Sequence, residues 1–286
     1  MDMHNPTLTE KQRIEKECFN SIVKDKWDNK SLLVEDKEPP FAYYSGDLFD
    51  CAMKYIGALD GKRILEIGCG NGEISVWFAR KGVEIYGIDI SDESIEFAKK
   101  RSVVNGTDAK THFSVSPAEA MEFSDNFFDV VFINVSLHHL EIDTAMREIK
   151  RVLKPHGLFV AVEPFVFSSF IQEIRTSKLV TALYPIRQET PTERILVHAD
   201  LDLIRKNFDS LEYKPYRIFS PFVFKVKPVL FFLADYIYRK EHDREKRRRM
   251  MNRAFQRLDE RILNGAPFMR FLSRYIVVKA KNNKPA

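Results

Sequence analysis

Three glycines stand at alternate positions in ILEIGCGNGEIS, at Gly68, Gly70 and Gly72, between an apolar run and a plausible helix start. A loop that leaves a parallel strand and enters a helix offers free backbone N–H groups, and glycines let a ligand approach them closely. The neighbours narrow the ligand. A dinucleotide loop of GxGxxG spacing needs glycine at position 73, where this chain has Glu73, an anion that would repel a pyrophosphate at the helix start. No GKS or GKT follows, so the Walker pattern fails too. Two acids suggest a different ligand: Glu66 ends the first strand and Asp89 the second, and both face the crevice at the strands' carboxyl ends. Asp89 suits the hydroxyls of a ribose, and Glu66 suits a cationic amino group. An amino acid joined to a nucleoside satisfies both.

This constellation resembles the cofactor site of class I S-adenosylmethionine (SAM)-dependent methyltransferases. FDVVFINVSLHHL (128–140) and REIKRVLKPHGLFVAVEP (147–164) are similar to the UbiE-like, or Methyltransf_11, branch, and the likeness spans 59–164. It implies SAM as methyl donor and S-adenosylhomocysteine (SAH) as product. It further implies Gly68, Cys69, Gly70 and Gly72 around the methionine part, Asp89 on the ribose and Ile90 against adenine. Asn134, with Ser136, lines the methionine end, and Tyr43 or Tyr44 acts as an aromatic lid over the ligand. One departure stands out: Pro117 occupies the place of the family's adenine-binding Asp. The Ala118 N–H then serves the ring nitrogen, Glu119 is the candidate substitute for the missing carboxylate, and adenine recognition should be weaker. Pro117 also favours an alternative in which the chain is a non-catalytic SAM-fold binding protein. The intact Glu66, Asp89 and three glycines weigh against it.

Methyl transfer from a sulfonium is an in-line displacement, so alignment and exclusion of water carry most of the acceleration, and a base helps when the acceptor is a hydroxyl or amine. His138 and His139 follow the fourth strand and Glu163 ends the fifth, all at the carboxyl edge where a base belongs. A structural or substrate-shaping role is the competing reading for each. Arg187, Glu193 and His198, around RQETPTER, are candidates for the acceptor pocket. The expected activity is O- or C-methylation of a small or medium-sized organic acceptor, and the alternative is methylation of a membrane-associated lipid or quinone.

The elements that must position these groups alternate along the chain. From Lys62, short apolar runs rich in Val, Ile and Phe alternate with helical segments, the pattern of a doubly wound, Rossmann-like α/β sheet covered on both faces. Ser91 before Asp92 and Glu93 predicts a helix N-cap, while Asn105-Gly106 and Pro155-His156-Gly157 predict helix ends. The resemblance implies seven strands with an antiparallel last strand at 274–280. The chain then divides into a helical cap (1–57), a cofactor-binding core (58–164), an acceptor-side segment with the sixth strand (165–219), a helical insert (220–273) and the last strand, within a single domain.

The insert joins an aromatic, apolar stretch (221–238) to a basic run, RKEHDREKRRR (239–249), whose net charge of +4 equals that of the whole 286-residue chain. Packing across the fold, a homodimer contact and a peripheral membrane contact are its three readings; nucleic acid is not an expected partner. No metal is expected, because the three cysteines, Cys18, Cys51 and Cys69, match neither a zinc spacing nor a disulfide framework, which with the charged N-terminus suits a cytoplasmic protein.

Overall fold

Continuous runs of Val, Ile and Phe can be buried along their whole length only in a sheet covered on both faces, and the chain builds one. The computed structural model describes residues 8–26, 32–34, 42–177, 190–192, 194–216, 235–239, 241–242 and 244–284. The strands are β1 Arg63–Ile67, β2 Glu84–Asp89, β3 Thr111–Val115, β4 Phe128–Asn134, β5 Leu153–Pro164, β6 Ser210–Tyr216 and β7 Tyr275–Lys281. They form one sheet in the order β3-β2-β1-β4-β5-β7-β6. The first five pair parallel. β7 inserts antiparallel between β5 and β6, starting beside the carboxyl end of β5 with Pro164 opposite Tyr275.

The helices are α1 Glu10–Lys26, α2 Ala42–Ile56, α3 Glu73–Arg80, α4 Asp92–Val104, α5 Ile142–Val152, α6 Ser169–Thr176, α7 His198–Asn207 and α8 Arg244–Gly265. α2 and α3 cover one face of the sheet, with Leu48, Phe49 and Phe78 in a core shared with Ile64, Phe132 and Val160. Phe49 stands edge-on to both Trp77 and Phe132. On the other face, Met146 and Ile149 of α5 and Leu201 and Ile204 of α7 share a core with Leu65, Val131 and Phe159.

Ser91 caps α4 as its position predicts, its hydroxyl accepting the Ser94 N–H at 3.1 Å. Pro155-His156-Gly157 differs from expectation: α5 already ends at Val152, and these residues lie inside β5, where the pairing with β4 shifts register between Phe128 and Val130. His156 takes a left-handed φ of 63° there, so the motif marks a bulge in the strand.

Candidate active site

The carboxyl ends of β1, β2 and β4 open into a cavity of about 720 Å³ roofed by α1. Gly68, Cys69, Gly70, Ile90, Ala118 and Asn134 line it, all of them predicted. Gly68 needs its lack of a side chain twice over: its φ is +68°, and a Cβ there would meet the Ser136 hydroxyl at 2.3 Å. A Cβ on Gly70 would project into open space, so the loop leaves room for a ligand. Gly72 does not line the cavity; it lies against α4, where a Cβ would reach Ala98 at 2.7 Å.

Charge gives the cavity its character. Glu15, Glu66, Glu73, Asp89 and Glu119 line it against one guanidinium, that of Arg101. Asp89 fixes the loop: its Oδ2 accepts the Gly70 N–H and its Oδ1 the Ser91 N–H, both at 2.9 Å. A carboxylate has about four acceptor positions, so it can still accept from a ligand. Burial pushes the Asp89 carboxyl up, against the downward pull of the backbone N–H groups of Ser91, Gly70 and Ile90. Glu66 is almost wholly buried and accepts from the Ser75 hydroxyl. Burial, with Asp89 and Glu73 nearby, raises its carboxyl to about 8. No cationic side chain of the described residues offsets this, so Glu66 is an acid poised for a positive partner.

The turn after β4 is strained and held in place. Val135, a β-branched residue at a left-handed φ of 57°, donates its N–H to the Val162 carbonyl at 2.8 Å. Glu163 Oε1 accepts the next two N–H groups, from Ser136 at 2.8 Å and Leu137 at 2.7 Å, while its Oε2 lies 2.7 Å from His138 Nδ1. Glu163 is fully buried, His138 is 2% exposed, and neither lines the cavity. Both were candidate bases by position; the geometry makes them anchors of the turn that presents Asn134, Ser136 and His139.

His139 does line the cavity, and its partner comes from α1. Its Nδ1 lies 3.1 Å from Glu15 Oε2, poorly aligned for a hydrogen bond. Phe19 stands edge-on to the imidazole with centroids 5.4 Å apart. Glu15 Oε1 accepts from the hydroxyls of Thr190, at 3.0 Å, and Thr192. Burial alone would raise the Glu15 carboxyl; the contacts with His139, Thr192 and Thr190 outweigh it and hold the group below its ordinary value.

α1 crosses the strand ends on polar contacts of this kind: Lys11 pairs with Glu141 at 2.9 Å, Gln12 donates to Glu119 at 3.0 Å and Lys16 pairs with Asp92 at 2.6 Å. Asn20 Oδ1 accepts from the Ser91 hydroxyl at 2.6 Å. Glu119 therefore borders the cavity while also accepting the Glu141 N–H at 2.9 Å.

Sequence reasoning missed Glu15, Gln12 and Phe19, because EKQRIEKECF reads as an ordinary solvated helix and no spacing links it to the strand ends. Tyr43 and Tyr44 fall in the first turn of α2, and their side chains lie outside the described residues, as do Arg187 and Glu193. His198 starts α7 and stacks edge-on to Phe165 at 5.1 Å, away from the cavity lining.

A strand, glycine loop and helix followed by an acid at the end of the next strand is a nucleoside-binding arrangement, and comparison with known proteins decides which. Residues 65–161 match the methyltransferase domain family. The match to that family is carried by this segment. The ubiquinone/menaquinone biosynthesis C-methyltransferase UbiE of Vibrio cholerae is 30% identical over 171 residues, 58% of this chain and 62% of that protein. Across the curated relatives matched, the chain spans 37% to 62% of their length. Two solved structures share the fold of the methyltransferase domain and its flanks. The [4+2]-cyclase SpnF superposes with a TM-score of 0.58 at 19% identity, covering 98% of this chain and 99% of that one. The geranyl diphosphate C-methyltransferase of Streptomyces coelicolor, in complex with Mg2+, geranyl diphosphate and SAH, gives 0.58 at 14% identity over 97% and 100%. The likeness in fold thus extends over nearly the whole of each chain.

Proposed function

We propose that the protein is a SAM-dependent methyltransferase acting on a small or medium-sized organic acceptor, with a hydroxyl oxygen as the acceptor atom its side chains suit best. Glu66 is the observation that carries this reading: a buried acid without a cationic partner among the described residues, facing a cavity whose other carboxylates favour a cation over a phosphate. The amino group of a methionine moiety would pair with it. The remaining acceptor positions of Asp89 suit the ribose hydroxyls, and Ile90, Pro117 and Ala118 border the place of the base.

When bound, SAM supplies an electrophilic methyl group on a cationic sulfur. The chain's contribution is alignment, exclusion of water by α1, and a proton acceptor. With Nδ1 of His139 turned to Glu15, Nε2 is the ring nitrogen placed to take the hydroxyl proton as the oxygen attacks. Glu15 orients the ring and stabilises the imidazolium that results. A lipid or quinone acceptor is the second reading, supported by the UbiE relative and by exposed apolar side chains at this end of the sheet.

Calorimetric titration with SAH tests the cofactor. Asp89→Ala should weaken binding by about 1–3 kcal/mol, through lost charge-assisted hydrogen bonds; an unchanged affinity would place the ligand elsewhere. A second expectation concerns protons. Glu66 holds its proton up to about pH 8 in the unliganded fold, and a cationic amino group favours its carboxylate. SAH binding at pH 7 should therefore release a proton, and affinity should rise with pH by up to about tenfold per unit below 8. Titrations in buffers of different ionisation enthalpy read the release, which Glu66→Gln should abolish; binding without proton release in the native protein would exclude the pairing. The same linkage acts on the unliganded fold, which binds more protons at Glu66 than the unfolded chain between about pH 4.5 and 8, so its stability falls as pH rises through that window.

A further inference from the structure

Large apolar side chains stand in solvent where the sheet's carboxyl end meets β5 and β7. α6 leaves the end of β5 with Phe170 66% and Ile174 46% exposed, one helical turn apart. On the neighbouring strand, the 3-10 turn Pro267–Leu272 leads into β7 with Phe268 75% and Phe271 42% exposed. Because Pro164 pairs with Tyr275, both segments flank the sheet at the end that carries the cavity. A lone exposed phenylalanine needs no explanation; four large apolar side chains on two segments at one end of the sheet do.

The helix that enters this turn is strongly basic. By sequence α8 carries eight Arg and Lys residues, at 244, 246–249, 253, 257 and 261, against three acids, at 245, 259 and 260. Arg253, Arg257 and Arg261 recur every four residues on its solvent side, and exposed Leu258 lies beside them. Arg257 and Arg261 have no carboxylate partner among the described residues, whereas the one exposed acid of this stretch, Glu260, is neutralised by Lys214 at 3.2 Å. Exposed Arg270 sits between the two phenylalanines of the turn.

We infer that this rim is a peripheral docking surface for an anionic lipid bilayer, with Phe170, Ile174, Phe268 and Phe271 entering the headgroup boundary and the arginines of α8 and the turn lying against acidic headgroups. Aromatic and aliphatic side chains near exposed arginines fit that interface, which is apolar below and negative above. A two-fold contact with a second copy would set the two arginine stripes against each other, and a nucleic-acid backbone would leave the aliphatic side chains without a partner. No helix of the described residues is long and apolar enough to cross a membrane, so the contact is one of surface. It also places the cavity's end of the sheet toward the lipid. The inference does not depend on methyl transfer, since vesicle binding is read without SAM or acceptor.

Sedimentation of the full chain with vesicles supplies the test. Pelleting is expected with equal phosphatidylcholine and phosphatidylglycerol, not with phosphatidylcholine alone, and it should decline with added salt. Arg257→Gln with Arg261→Gln should weaken partitioning at low salt by about fivefold per arginine. Phe268→Ser with Phe271→Ser, at exposed positions, should weaken it by about tenfold or more. Absence of anionic-lipid pelleting at low salt would overturn the inference. So would binding that the arginine changes abolish and the phenylalanine changes leave intact, the mark of a generic polyanion patch, or a dimer in light scattering that the phenylalanine changes dissociate.

Discussion

Glu163→Ala is expected to lower global stability by about 3–5 kcal/mol, the scale of removing one member of a buried polar cluster and stranding its partners. Three donors converge on this carboxylate, the N–H groups of Ser136 and Leu137 and the ring of His138, and no solvent reaches it. The turn it secures includes Val135 at a positive φ, a conformation that persists only while its surroundings impose it. Loss of the carboxylate should therefore release the turn and reduce SAH affinity as well as stability. Glu163→Gln keeps one oxygen for the two N–H groups and should cost much less. Urea unfolding measures both, with the midpoint shifting at constant slope. A change within about 0.5 kcal/mol for Glu163→Ala would show that the turn stands without its anchor.

His139→Ala is expected to lower kcat for a hydroxyl acceptor by about 10²–10⁴, the usual contribution of a positioned general base, with a far smaller effect on SAH affinity. The imidazole lines the cavity from a turn held by Glu163 below, while Glu15, fixed by Thr190 and Thr192, fixes it from above. Glu15→Gln should lower kcat less, since the threonines can still hold the side chain and the ring loses only the carboxylate that orients it and steadies its charge. Screening hydroxylated compounds for SAM-dependent gain of a methyl group supplies the acceptor, and steady-state kinetics on the variants then give the ratio. Full activity in His139→Ala would assign methyl transfer here to alignment alone.

The adjacent histidines show how far a sequence can be read. His138 and His139 look equivalent in SLHHL, yet one side chain turns into the protein onto Glu163 and the other into the cavity onto Glu15. Their ring centroids are only 4.2 Å apart, so the division rests on the direction of a single 3-10 turn, Leu137–His139. Glu163 was legible as a residue at the end of β5, but its use as an anchor depends on a turn that begins after β4, which no local spacing reveals.

What the sequence by itself determined is the part of the site built within consecutive strand–loop–helix units: Gly68 to Gly72, Glu66, Asp89 and the alternation of apolar runs that makes the sheet parallel. These groups meet because they occupy the ends of neighbouring strands, and strand ends follow from periodicity and glycine. The tertiary structure alone decided that α1 roofs the cavity and carries Glu15 to His139, that Glu163 and His138 serve the turn, and that exposed phenylalanines from α6 and the turn before β7 lie at the same end of the sheet. Each of these joins segments far apart in the chain, and such contacts depend on the docking of whole elements, which local pattern does not encode.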